Sequence, residues 1–172
     1  MSLLLNLIRM TLAGLSVYNI PMEKPTSRPR PPASARNKMM DILARRDHSE
    51  KEIRKKLKDK FSQEEIEKAI QFAKESRWLP DSEEGARALS QKTADVLKRK
   101  GKGQLYINHY LHEKGLPPVQ LDSAEELEKA RELVENKFSD LKSMDRQGKA
   151  KVGRFLVSRG FSLETVRKVI YE

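Results

Sequence analysis

The ionisable side chains of this sequence fall into clusters, and the densest cluster is basic. Lys51, Arg54, Lys55 and Lys58 are spaced by three and four residues, which sets four positive charges on one side of a helix, away from Ile53 and Leu57. Such a face neutralises phosphate oxygens by charge alone, without reading a base sequence. A merely solvated helix face has the same pattern, although here Glu50, Glu52 and Asp59 dilute the cluster only at its edges. The run "KRKGKG" supplies Lys98, Arg99, Lys100 and Lys102 beside glycines whose amides can approach phosphate; its plain reading is a helix-to-helix corner. Lys149, Lys151, Arg154 and Arg159 make a third patch, and Lys114 is a further candidate contact.

Other chemistry has less support. His109, His112 and Glu113 lie close together on a helix, but the spacing is not the i, i+4 pair of zinc proteases, no further ligand is evident, and a surface position is the better reading. Ser158 and Ser162 have no histidine near them in sequence, and no Gly-rich phosphate loop follows a strand. With no cysteine there is no disulfide, thiolate metal site or thiol nucleophile, which fits a reducing compartment. We therefore expect no enzyme activity, no cofactor and no metal, and a cytoplasmic location. Trp78, with Phe72, can stack nucleic-acid bases, but a Trp in a helix-ending corner more commonly anchors packing, and packing is the favoured reading.

The elements that position these side chains are helices. Between Pro32 and Pro80, and again up to Pro117 and Pro118, no proline interrupts the chain. Ser49 with Glu52, Ser62 with Glu65, and Ser123 with Glu126 read as capping boxes, and Asp81 and Asp145 as single caps. Apolar residues recur at helical spacing between these starts, and sustained strand alternation is absent. The pattern predicts helices near 34–46, 49–60, 62–76, 82–99, 103–114, 123–141, 146–158 and 162–171, with a poor short helix around 117–121.

Part of this pattern is repeated. "FSQEEIEKAI" at 61–70 returns as "FSLETVRKVI" at 161–170, with Phe, Ser, Glu, Lys and Ile identical at five positions. The preceding helix occurs three times, with Ile53 and Leu57, Ile107 and Leu111, and Val152 and Leu156 as its apolar pairs, so the core leucine advances by 54 and then by 45 residues. The last two copies end in Lys114-Gly115 and Arg159-Gly160, where glycine can take the left-handed turn that ends a helix. The first copy lacks that glycine and needs a different corner. The expected architecture is all-α: an elongated array of three tandem three-helix repeats, 34–79, 80–121 and 122–172.

The chain of 172 residues carries a net charge of +10, of which +7 falls on residues 34–172, so the folded part itself is basic and a polyanion, or a protein holding one, is the leading partner class. Residues 1–33 read as an N-terminal extension, expected to be disordered, that ends in the proline-stiffened linker Pro25–Pro32. Asn6, Arg9 and Asn19 interrupt its apolar run, so stable membrane association is not expected.

Several stretches, taken in order, resemble the RecX regulatory proteins. "LARRDHSEKEIRKKL" at 43–57 is similar to the opening signature of that family, "WLPDSEEGA" at 78–86 to its next segment, "RKGKGQLYINHYLHEKGL" at 99–116 to its middle signature, and "RFLVSRGFSLETVRKVI" at 154–170 to its closing repeat. The resemblance covers about residues 34–172. Two departures stand out: Leu79-Pro80-Asp81 followed by Glu84-Gly85-Ala86 lacks the family's aromatic residue, and the third helix of the middle repeat is cut short at "PPVQLD". The resemblance implies tandem three-helix repeats and a monomeric, non-catalytic modulator of the RecA recombinase. It implies binding to the RecA filament on single-stranded DNA and suppression of its ATPase, strand-exchange and coprotease activities. Two other readings of the residues stay open: a basic helical repeat module that binds nucleic acid on its own, and a scaffold resembling the HEAT type that binds only protein.

Overall fold

The computed structural model describes residues 34–138 and 140–172, and the expectations for residues 1–33 lie outside them. The described residues form eight α-helices and no strand: α1 Ala35–Leu43, α2 Glu50–Leu57, α3 Gln63–Glu75, α4 Glu83–Arg99, α5 Gln104–Lys114, α6 Ser123–Lys137, α7 Arg146–Ser158 and α8 Leu163–Tyr171, with a 3-10 turn at Leu141–Ser143.

Their starts follow the cap chemistry, with two corrections. Ser49 and Ser62 make full capping boxes with Glu52 and Glu65, and Asp145 caps α7. The α4 cap is Ser82 rather than Asp81, its hydroxyl accepting from the Gly85 amide. The α6 cap is Asp122 rather than Ser123, because Glu126, the expected box partner, is drawn away to the Gln104 amide at 2.7 Å. The same helix stops at Lys137 instead of 141, where Phe138 turns to extended backbone.

Burial divides the apolar residues into three clusters in chain order. The first joins Met39, Ile53, Leu57, Ile66 and Ile70 from α1, α2 and α3. The second joins Ala94, Leu97, Ile107 and Leu111 from α4 and α5 with Leu116 and Leu121. The third joins Ala130, Val134, Val152, Leu156, Phe161 and Val166 from α6, α7 and α8. The apolar pairs of the threefold pattern, Ile53 and Leu57, Ile107 and Leu111, and Val152 and Leu156, are fully buried; of the residues that close each copy, Leu116 and Phe161 are buried and Phe61 only partly so.

The middle repeat has no third helix; the expected short helix at 117–121 is irregular backbone. Pro117 and Pro118 supply no amides for a helix, and α5 side chains satisfy the segment instead. Val119 N donates to Asn108 Oδ1 at 3.0 Å, Gln104 Nε2 donates to the Val119 carbonyl at 2.6 Å, and Leu121 N donates to Gln104 Oε1 at 2.6 Å. Leu116 and Leu121, at the two ends of this segment, are buried in the middle cluster against α4 and α5.

One helix end is strained. The left-handed positions after α4, α5 and α7 are Gly101, Gly115 and Gly160, whereas the one after α3 is Arg77, with φ +58°. A side chain in that conformation costs about 1 kcal/mol. Arg77→Gly is accordingly expected to raise stability by about 1 kcal/mol, read as a higher melting temperature; an unchanged or lower one would mean that the arginine side chain contributes packing that offsets the strain.

Candidate functional site

The structure gives the basic residues two kinds of place. Some hold the repeats together, and others face solvent.

The first joint sets the start of α2 against the end of α5. The Ser49 hydroxyl donates to the Lys114 carbonyl, Lys51 lays its aliphatic stem against Gly115, and Lys51 Nζ donates to the His112 carbonyl at 3.4 Å. At the centre lies Glu52, only 8% exposed, paired with Arg46 at 2.8 Å and Lys114 at 2.5 Å. Burial opposes its charge, but hydrogen bonds from Arg46, Lys114 and the Ser49 amide override that penalty and hold the carboxyl at about 2. His48 is buried beside it, donating Nδ1–H to the Arg46 carbonyl at 2.8 Å, and burial lowers its pKa.

Both groups titrate below their unfolded values, so the unfolded chain binds more protons and stability rises with pH. The His48 contribution is present above about 6.5 and declines as pH falls below that value. The Glu52 contribution is present above about 4.5 and is lost as pH falls from there to about 2. Glu52→Gln is expected to flatten the acid limb of a stability-against-pH curve by about 2 kcal/mol, given a half-exposed arginine partner. An acid limb as steep as in the parent chain would contradict the assignment.

The second joint repeats the arrangement with backbone groups. Gly103 N donates to the Arg159 carbonyl at 3.0 Å and Leu105 N to the Gly160 carbonyl at 2.9 Å, so the start of α5 sits on the end of α7. A Cβ on Gly103 would come within 2.5 Å of the Gly160 oxygen, which is why only glycine fits there. Arg159 Nη1 donates to the Lys100 carbonyl at 3.1 Å and its guanidinium lies over Phe155. Glu126 ties in Thr165 at 3.3 Å as well as Gln104. The basic-Gly corners are therefore seats for the preceding repeat. Among the described residues no hydrogen bond reaches the first corner, Lys60-Phe61, from another repeat, and that corner has no glycine.

These joints change what the candidate residues are available to do. Lys51, Lys114 and Arg159 are joint residues. Arg54 is held by Glu50 at 2.7 Å and by Glu67, which raise its pKa. Lys98 pairs with Glu125 at 2.5 Å, and Lys98, Arg99 and Lys102 line a cleft of about 360 Å³ with Glu125, Glu126, Glu128 and Glu132 of α6, where a phosphate would meet carboxylates. Lys102 covers the Tyr106 ring at 4.1 Å and Lys149 approaches Tyr171 at 5.9 Å. Lys55, Lys58, Lys100, Lys151 and Arg154 are exposed and form no ion pair among the described residues. Lys56, also exposed, was hidden by the three-and-four spacing that starts at Lys51.

The repeat periods order this surface. Moving 54 and then 45 residues from Lys55 leads to His109 and Arg154, all three exposed and on the side of the central helices opposite the core pair. From Lys58 the same steps lead to His112 and Val157. His109 and His112 thus belong to a row shared with lysine and arginine. Among the described residues no group of three or more His, Asp or Glu is placed to hold a metal ion, and no helix is long and apolar enough to cross a membrane. Trp78, expected to be packed, is 45% exposed, touching Phe72 edge to face at 5.4 Å.

Comparison with known proteins agrees with this architecture. The family model described as RecX, first three-helix domain, matches residues 35–72, and that described as RecX, third three-helix domain, matches residues 124–170. The regulatory protein RecX of Chlorobaculum tepidum is 35% identical, over 80% of this chain and 87% of its own length. That of Cronobacter sakazakii is 32% identical, over 81% and 94%. Among solved structures, a crystal structure of regulatory protein RecX superposes with a TM-score of 0.64 at 22% identity, covering 80% of this chain and 72% of that one. The RecX structure from Lactobacillus salivarius superposes with a TM-score of 0.60 at 20% identity, covering 79% and 92%.

Proposed function

The chain belongs to the RecX family of regulatory proteins, and from that premise we propose that it is a non-enzymatic modulator of the RecA recombinase that binds the RecA filament on single-stranded DNA. In this reading it acts as a monomer in the cytoplasm and lowers ATPase, strand-exchange and coprotease activity by occupying the filament. The observation that carries the reading is the row of exposed cationic and histidine positions, Lys55, His109 and Arg154, repeated once per repeat. A filament is itself periodic, and a periodic basic surface can meet successive phosphates or acidic protein groups along it. Lys58, Lys100 and Lys151 extend the same exposed charge.

The test is ATP hydrolysis by RecA on single-stranded DNA with and without this protein. Inhibition at stoichiometric or lower amounts is the expected result, and its absence would sink the proposal. A module that binds nucleic acid without a recombinase partner behaves differently. It would slow hydrolysis only by competing for the strand, so its effect would vanish once DNA is in excess.

A further inference from the structure

We propose that the corner after α3 is a stacking site for bases of a single strand of nucleic acid, with Trp78 as the platform and Arg77 as the phosphate partner. This deepens the reading above, on which it rests, by naming what one part of the surface touches.

Trp78 is nearly half exposed, while its neighbour Leu79 is buried in the first core cluster. The indole is nevertheless fixed. It meets Phe72 at 82° and 5.4 Å, and the other end of that stack is the Arg36 guanidinium, 3.5 Å from the Phe72 centroid. A ring already held in place loses little freedom when a base stacks on it. Two clefts flank it, about 560 Å³ and about 450 Å³, and both are lined by Arg77, Trp78 and Asp47. Leu79, Pro80 and Leu89 give one of them an apolar floor, and Met40 and Leu43 do so for the other. Each lies in the size range of small-molecule sites, so a strand can cross the indole with a base on either side.

Charge sets the direction of the strand. Asp47 is neutralised by Lys92 at 2.5 Å, and Asp81, at the first cleft, repels phosphate there. Arg77 is exposed and makes no ion pair among the described residues, which leaves the backbone of the strand on its side. The left-handed φ of Arg77 adds a second line of argument. Three other helix ends with positive φ use glycine, and strain kept at an exposed arginine is the kind that persists for a binding role.

Trp78 is the only tryptophan in the chain, so emission reports on this corner alone. Oligothymidine is expected to quench the full chain's emission, and an abasic oligomer of equal length is not. Trp78→Ala is expected to weaken oligothymidine binding, measured by anisotropy of a labelled strand, roughly tenfold while leaving abasic binding unchanged; Trp78→Phe should retain most of the affinity. Arg77→Gly should bind more weakly, with a log-salt slope shallower by about 0.7, although it melts higher. Equal quenching by the abasic oligomer, unchanged affinity in Trp78→Ala, or emission that responds to RecA without DNA would each overturn the site. RecA inhibition with silent emission overturns this site and leaves the regulator reading standing, whereas failure to inhibit RecA ends that reading whatever Trp78 does.

Discussion

Gly160→Ala is expected to destabilise the chain by about 3 kcal/mol, a fall in melting temperature of roughly 10 °C, and to do so by opening the joint between α5 and α7. Two costs add at this position. Gly160 has φ +84°, where a side chain is strained by about 1 kcal/mol. Its added Cβ would also run into the backbone N and Cβ of Tyr106 and lie 2.8 Å from Tyr106 Cα, and backbone cannot rotate away as a side-chain tip can. Relief requires α5 to lift from the α7 corner, which removes the Gly103–Arg159 and Leu105–Gly160 hydrogen bonds. Gly153→Ala is the matched control. A Cβ there meets Ile170 Cδ1 at an ordinary 3.5 Å inside α7, so the better helix former should stabilise by about 0.5–1 kcal/mol. Equal effects from the two substitutions would contradict the joint.

Leu111→Asp is expected to abolish the cooperative melt. Leu111 is fully buried among Ala94, Leu97, Ile107, Leu116 and Leu121, and truncating such a leucine to alanine already costs about 2–5 kcal/mol. A carboxylate in that apolar site adds the penalty of an unpaired buried charge, so the total approaches the whole stability of an ordinary domain. Leu105→Asp, at a 59% exposed position on the same helix, is expected to change stability by no more than about 0.5 kcal/mol. A circular dichroism melt of Leu111→Asp that matches the parent would refute the assignment of the middle core.

The residues that were legible in sequence are those whose partners lie within a few positions. Ser49 and Ser62 find their glutamates one turn on, and Leu57, Leu111 and Leu156 are fixed by helical spacing, so three cores could be read from periodicity alone. The departures have remote partners. Lys114 looked like a surface charge at a helix end because Glu52, which it pairs with, lies 62 residues away. Arg159 reaches carbonyls 58 and 59 residues away, and Arg54 reaches a glutamate 13 residues on in the next helix. Glu126 failed to form its expected box because a tertiary donor, the Gln104 amide, competes for the same carboxylate. The site is therefore less legible than the fold: charge can be counted in sequence, but whether a lysine is occupied depends on contacts that only the folded chain makes. That is also why reversing Arg54 would confound a binding test, since it would break its pairs with Glu50 and Glu67.

The central claim is that the exposed basic row, and not total charge, holds the recombinase filament. It is tested most directly by titrating RecA ATPase on single-stranded DNA with the parent chain and with the triple variant Lys55→Glu, Lys58→Glu and Arg154→Glu. The comparison variant, Arg131→Glu with Lys142→Glu and Arg167→Glu, reverses three exposed charges outside the row that make no ion pair among the described residues, so both variants change the net charge equally. The account predicts that the triple variant, with an unchanged melt, needs at least about tenfold more protein for half-inhibition, while the comparison variant stays near the parent. Equal inhibition by the triple variant and the parent would contradict it.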